Sequence, residues 1–176
     1  MLYVVLCVVV VLVAVIFSLY SISKSKYQVT LIKIKEADEN IEILLRDKYQ
    51  LLNQINDLMK KKKKEKDFLV LDELNVEGLD TFELNKELSK YDKKIIEIVD
   101  YEKDLKFSDK DIEIFDRYND VNIQSLATEK YYNDNVAIYN SMVKSFPSNI
   151  VAKLKKYKNK KEYSNEKEEI FEILKD

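Results

Sequence analysis

Among 176 residues there is no histidine and a single cysteine, so the reactive side chains on offer are carboxylates, lysines, tyrosines and hydroxyls. That excludes a Ser-His-Asp or Cys-His nucleophile system, any Cys/His zinc site and a disulfide within the chain. Carboxylates are plentiful, with 32 Asp and Glu, and acid/base pairs or carboxylate-only metal sites stay formally open. Di-metal helical bundles, however, draw on Glu-x-x-His pairs from facing helices, a template that a chain without histidine cannot supply. The expectation is a protein that is not an enzyme, with no cofactor, no metal and no small-molecule substrate.

Other groups stand out by their spacing. Tyr132-Asn133 and Tyr139-Asn140 lie two helical turns apart with Val136 between them, so the two tyrosines share a helix face, as do the two asparagines. A tyrosine brings a large apolar ring and a hydroxyl that needs a partner when buried, and an asparagine amide can bridge helices. The expected role is interhelical packing and bonding, with a ligand site built from the same polar tips as the alternative. Lys48 and Glu129 are each the charged residue on an otherwise suitable stripe. If their helices run antiparallel, with Phe146 returning beside Tyr27, the helical rise sets Glu129 about 25 Å and Lys48 about 30 Å from that level. An ion pair across the bundle is expected, serving register more than stability because burial of charge costs solvation. A third group is basic: Lys153, Lys155, Lys156, Lys158, Lys160 and Lys161 surround Ile150, Val151, Leu154 and Tyr157. Such an amphipathic stretch suits contact with anionic lipid headgroups, with a merely solvated charged end as the alternative.

The elements that must position these groups are helices. One glycine and one proline in the whole chain leave little for turns or sheet edges and spare helix interiors. The fold class is all-α. Tyr27, Ile34, Ile41, Lys48 and Ile55 recur every seven residues, and Thr30, Ala37, Leu44, Leu51 and Leu58 follow three behind. This a/d seam specifies a long first helix that needs a partner. The run Lys60 to Lys64 covers every face of a turn, so the packed bundle opens or ends there. A solvated helix end is expected, with docking of an acidic partner or nucleic acid as the alternative. Phe68, Leu69, Leu71 and Leu74 then restore apolar character before Gly78. A second helix begins near Asp80 or Thr81, runs to about Lys103, and carries Phe82, Leu84, Leu88, Tyr91, Ile95, Ile98 and Val99. After a connection through Asp104-Leu105-Lys106, Ser108 caps a third helix. Its stripe is Phe115, Tyr118, Asn122, Ser125, Glu129, Tyr132, Val136, Tyr139, Val143 and Phe146, and Pro147 ends it.

Met1 to Ser23 carries no charged side chain, and Leu2 to Tyr20 is almost continuously apolar. About 20 such residues span a hydrocarbon core of roughly 30 Å. No Lys or Arg precedes the apolar run, unlike a signal peptide, and an uncleaved anchor is expected. Cys7 is read as a small apolar residue facing lipid or a partner helix. Lys24, Lys26, Lys33 and Lys35 follow the span, which by the positive-inside rule puts the N-terminus outside and the rest in the cytoplasm. The expected architecture is an N-terminal transmembrane helix followed by an elongated antiparallel bundle of three to four long helices. Its divisions are an anchor over 1–23, a bundle over 24–163 and a charged C-terminal tail over 164–176.

The stretch Tyr132-Asn133, Val136, Tyr139-Asn140, Phe146-Pro147, Asn149-Ile150-Val151-Ala152 resembles the hallmark of the LemA family, a YN-x-x-V-x-x-YN-x(5)-FP pattern followed by N-[IV]-[IV]-A. Asp104-Leu105-Lys106 is similar to the family's D-L-K, and Lys48, Leu51, Leu52 and Ile55 to its R-x-D-L-I-x-x-L element. Gln50, Asn53 and Gln54 differ from the usual Asp, Pro and Asn of that element. Glu129 stands where arginine is common, and Lys155-Lys156 replaces a glycine-containing turn. The chain thus looks like a divergent member. The resemblance implies a membrane-anchored antiparallel helical bundle, in a family whose biochemical role is poorly defined.

These readings converge on a membrane-anchored helical interaction or scaffold protein at the cell membrane. Its expected partners are the bilayer, through residues 1–23, and a protein bound on the bundle. The alternative is a basic-surface binder of anionic lipid headgroups or nucleic acid at the membrane. A net charge of −2 gives no global attraction to nucleic acid, which is not an expected partner.

Overall fold

The computed structural model describes residues 1–63, 76, 78–101 and 107–163. Four helices account for most of them: α1 (Leu2–Lys63), α2 (Thr81–Tyr101), α3 (Asp109–Lys144) and α4 (Ser148–Lys155), with no strand among the described residues. The fold is all-helical, as the composition requires. The helix starts are written locally. At α2, Glu83 N–H donates to the Asp80 carboxylate (2.8 Å) while Asp80 N–H donates to the Glu83 carboxylate (3.3 Å), a reciprocal capping box. At α3, Ser108 N–H donates to the Asp111 carboxylate at 2.8 Å.

The chain divides into two compact units. The first takes Met1–Ala37 of α1 with the C-terminal part of α3 and α4, Tyr131–Glu162. Its core is Tyr27, Ile34, Ala37, Tyr132, Val136, Tyr139, Val151 and Ala152, all 5% exposed or less. Direction is fixed by two contacts: Tyr139 meets Tyr27, and Ser148, further along the chain, meets Ser23, earlier in α1. Here α1 and α3 are antiparallel. In this unit the first helix buries the a/d set Tyr27, Thr30, Ile34 and Ala37 as its periodicity predicts.

The second unit takes Asp38–Lys130 and, from the C-terminal side, Tyr163. Thr81 donates to Asp38 and Asp92 pairs with Lys48, so α2 runs in the same direction as α1. Lys62 meets Asp111 and Lys48 lies over Tyr118, so α3 runs against α1. With two helices against it, α1 buries a wider stripe than a two-stranded seam. Leu45, Leu52 and Met59 are fully buried beside Ile41, Lys48, Leu51 and Ile55, while Leu44 and Leu58 are half-buried. From α2 come Leu84, Leu88 and Ile95, and from α3 Tyr118 and Val121. Each fully buried aliphatic side chain contributes about 1.5–3 kcal/mol over its exposed state.

Ahead of Tyr20, every residue of α1 is exposed, and the helix is long and apolar enough to cross a membrane. At the far end of α1, Lys61 is exposed but Lys62 is engaged: its ammonium lies 3.0 Å from Asp111 and 5.2 Å from the centre of the Phe107 ring. Lys64, Phe68, Leu69, Leu71, Leu74, Asp104-Leu105-Lys106 and the tail over 164–176 lie outside the described residues.

Candidate functional site

Two constellations gather the polar groups that the sequence singles out. In the first unit the hallmark residues hold a return segment. Beyond α4 the chain leaves helical geometry at Lys156 (φ 56°, ψ 35°), and Tyr157 N–H donates to the Ala152 carbonyl at 2.9 Å, a Schellman-type ending made without glycine. The chain then runs back along α3. Asn140 grips the peptide of Lys160 on both sides: Lys160 N–H donates to Asn140 Oδ1 (2.8 Å) and Asn140 Nδ2 donates to the Lys160 carbonyl (3.0 Å). Tyr132 Oη donates to the Lys161 carbonyl at 3.4 Å. In the second unit, Tyr163 stacks on Phe82 with ring centres 4.1 Å apart and donates to Asp38 at 3.3 Å.

Tyr139 stands in a cluster of three rings, 5.7 Å from Tyr27 and 6.1 Å from Tyr157, with Tyr27 and Tyr157 5.0 Å apart. Edge and tilted contacts at these distances are favourable for ring quadrupoles. Tyr27 Oη donates to the Ser148 carbonyl at 3.3 Å. Burial, and then the neighbouring phenols, raises the pKa of Tyr27 and of Tyr139 above the ordinary phenol value. Val136 is fully buried and Asn133 half-buried. Phe146 is not part of the packed stripe: it is 75% exposed, because α3 ends at Lys144, two residues before it. Lys153, Lys155, Lys156, Lys158, Lys160 and Lys161 are all exposed.

In the second unit a charge is buried. Lys48 Nζ lies 2.5 Å from Asp92 Oδ1, with the two side chains 2% and 5% exposed. Tyr118 Oη donates to the same carboxylate oxygen at 2.5 Å, and the Lys48 ammonium is 5.7 Å from the Tyr118 ring centre. Burial, then the Asp92 charge, pushes the Tyr118 phenol far up. Glu129 is buried as well, at 4% exposure. In the first unit Tyr27 meets Tyr139 rather than Phe146, seven residues from the expected alignment. Within the second unit Lys48 faces Tyr118, and Glu129 is eleven residues further along α3, about 16 Å.

Asp92 was the member sequence reasoning missed. It falls between Leu88 and Ile95 on the α2 stripe, a carboxylate on an apolar face, which is the same signal that singled out Lys48. Tyr27 was legible as a seam residue and Tyr157 only as part of the basic amphipathic stretch, neither as a ring partner of Tyr139. Among the described residues no group of three or more carboxylate or thiol side chains comes together.

A long apolar helix at the N-terminus, packed helices behind it and a hallmark whose Tyr132 and Asn140 bind the chain's own backbone define an all-helical protein with a candidate membrane span. A family model described as the LemA family matches residues 37–173, and the chain belongs to that family. No curated protein and no solved structure matches it.

Proposed function

We propose that the chain is a membrane-tethered helical interaction module, a scaffold rather than an enzyme. Residues 1–23 cross the bilayer once, the N-terminus lies outside, and the bundle works at the cytoplasmic face, where a protein partner binds it. One observation carries this reading: α1 is a single uninterrupted helix from Leu2 to Lys63. It passes from an exposed apolar stretch directly into the seam that organises the bundle. An exposed apolar stretch of that length finds its favourable environment in lipid. The polar groups available for chemistry support the non-enzymatic part. Asp92 answers Lys48 and Tyr118, and Asn140 and Tyr132 answer backbone groups.

The test is protease digestion of a C-terminal tag in intact and in permeabilised cells. Protection in intact cells and digestion only after permeabilisation is expected. Digestion in intact cells would place the bundle outside and refute the cytoplasmic assignment.

A further inference from the structure

Three apolar side chains beyond the end of α3 are left open: Phe146 is 75%, Ile150 48% and Leu154 67% exposed. Four-residue spacing puts Ile150 and Leu154 on one face of α4, while Val151 and Ala152 are buried at 1% and 2%. Single exposed hydrophobes need no explanation, but this row is ringed by exposed Lys153, Lys155, Lys156 and Lys158. A row of apolar groups bordered by cations matches a surface that is apolar inside and anionic at its rim.

Its position in the first unit supplies the rest. Ser148, the first residue of α4, donates to the hydroxyl of Ser23 at 3.3 Å, and Ser23 closes the uncharged stretch of α1. Tyr139 sits against Tyr27, and α3 continues five residues past it to Lys144. At the helical rise that is about 7–8 Å further towards the anchor, level with about Ile22. Phe146 follows two residues later. The open row therefore lies where the apolar span meets its first lysines, Lys24 and Lys26.

We propose that the Phe146–Lys158 corner is a second membrane contact, in which Phe146, Ile150 and Leu154 enter the boundary between headgroups and acyl chains and the surrounding lysines meet anionic lipid phosphates. This rests on the reading that residues 1–23 span the bilayer. The span then fixes depth, and the corner fixes the tilt and rotation of the first unit on the surface, since two separated contacts restrain what one helix leaves free. The lysines set a preference for anionic over neutral lipid.

The chain has no tryptophan, so Phe146→Trp gives the full chain one indole at this corner, and Ile150→Trp a second placement. Each is reconstituted in vesicles of phosphatidylcholine and phosphatidylglycerol carrying lipids brominated near the headgroup or deep in the acyl chain. Phe17→Trp reports the anchor. Ile32→Trp, exposed on α1 and nine residues past Ser23, or about 14 Å, reports water. Phe146→Trp and Ile150→Trp are expected to emit at shorter wavelength than Ile32→Trp, to be quenched by the shallow bromines, and to resist acrylamide several-fold better. Changing Lys153, Lys155 and Lys156 to Gln should abolish the difference between anionic and neutral vesicles. If Phe17→Trp is quenched by deep bromines while Phe146→Trp and Ile150→Trp are as open to acrylamide as Ile32→Trp, the corner is in water and the inference falls with the anchor intact. If Phe17→Trp itself escapes the bromines, the spanning reading fails. Shielding from acrylamide without bromine quenching would mean that protein, not lipid, covers the row, and would overturn the proposal.

Discussion

Replacing Lys48 with methionine keeps most of the length of the side chain and removes its charge, leaving the buried Asp92 carboxylate with the Tyr118 hydroxyl as its donor. Breaking a buried pair from one side costs about 3–5 kcal/mol. Asp92→Asn, which keeps an acceptor for Tyr118, removes the Lys48 counter-charge from the other side. The double variant removes both charges and is expected within about 1–2 kcal/mol of the parent, giving a coupling of at least about 2 kcal/mol. The assay is thermal unfolding of the full chain in detergent, followed by near-ultraviolet circular dichroism of the tyrosines. For a chain of this size each kcal/mol moves the midpoint by about 2–4 °C, so Lys48→Met should lose about 6–20 °C. A loss below about 2 °C would show that the pair is not a desolvated contact.

Asn140→Ala should release the return segment: amide exchange at Lys160 speeds up and trypsin gains access to Lys158, Lys160 and Lys161, while α3 keeps its protection. Unchanged exchange at Lys160 would show that the clamp does not hold the segment. Lys156→Gly relieves a left-handed residue that costs a non-glycine about 1–2 kcal/mol, offset in part by glycine's larger unfolded entropy, so urea titration should show a gain of about 0.5–1 kcal/mol. Tyr27 and Tyr139 hold their protons more tightly folded than unfolded. Their contribution to stability is therefore complete below about pH 10 and lost as pH rises through the folded values. Absorbance titration should show phenols ionising late and together with unfolding, and Tyr27→Phe should remove one of them. For Asp111 the hydrogen bond from the Ser108 backbone, then Lys62, holds the carboxyl below its ordinary value. Lys62→Met should move its titration, followed by carbon NMR, only part of the way back.

Much of the helical layout could be read from the sequence, and the reason for what could not is particular. The a/d seam from Tyr27 to Ile55 predicts α1, and its drift onto Leu45, Leu52 and Met59 needs knowledge that a second helix packs there. The register of α3 differs from the expected one by a heptad, for a clear cause. Tyr132, Tyr139 and Phe146 sit seven residues apart on one stripe, so sliding α3 by seven residues presents the same face to α1. Periodicity cannot choose between those alignments. What distinguishes them is the return segment, whose seat on Asn140 and Tyr132 and whose Tyr157 ring against Tyr27 are contacts of an extended stretch with no repeat to reveal it. Asp92 was legible in type and spacing, but a carboxylate on a stripe finds its partner only once the direction of α2 is known.

The grip of Asn140 on Lys160 is made wholly through the peptide group. An amide that reads one N–H and one carbonyl is indifferent to the side chain between them. The neighbouring Tyr132 likewise addresses a carbonyl. Position 160 is thus anchored without being specified, and its side chain is exposed. Substitution there can rewrite charge and bulk without disturbing the seat.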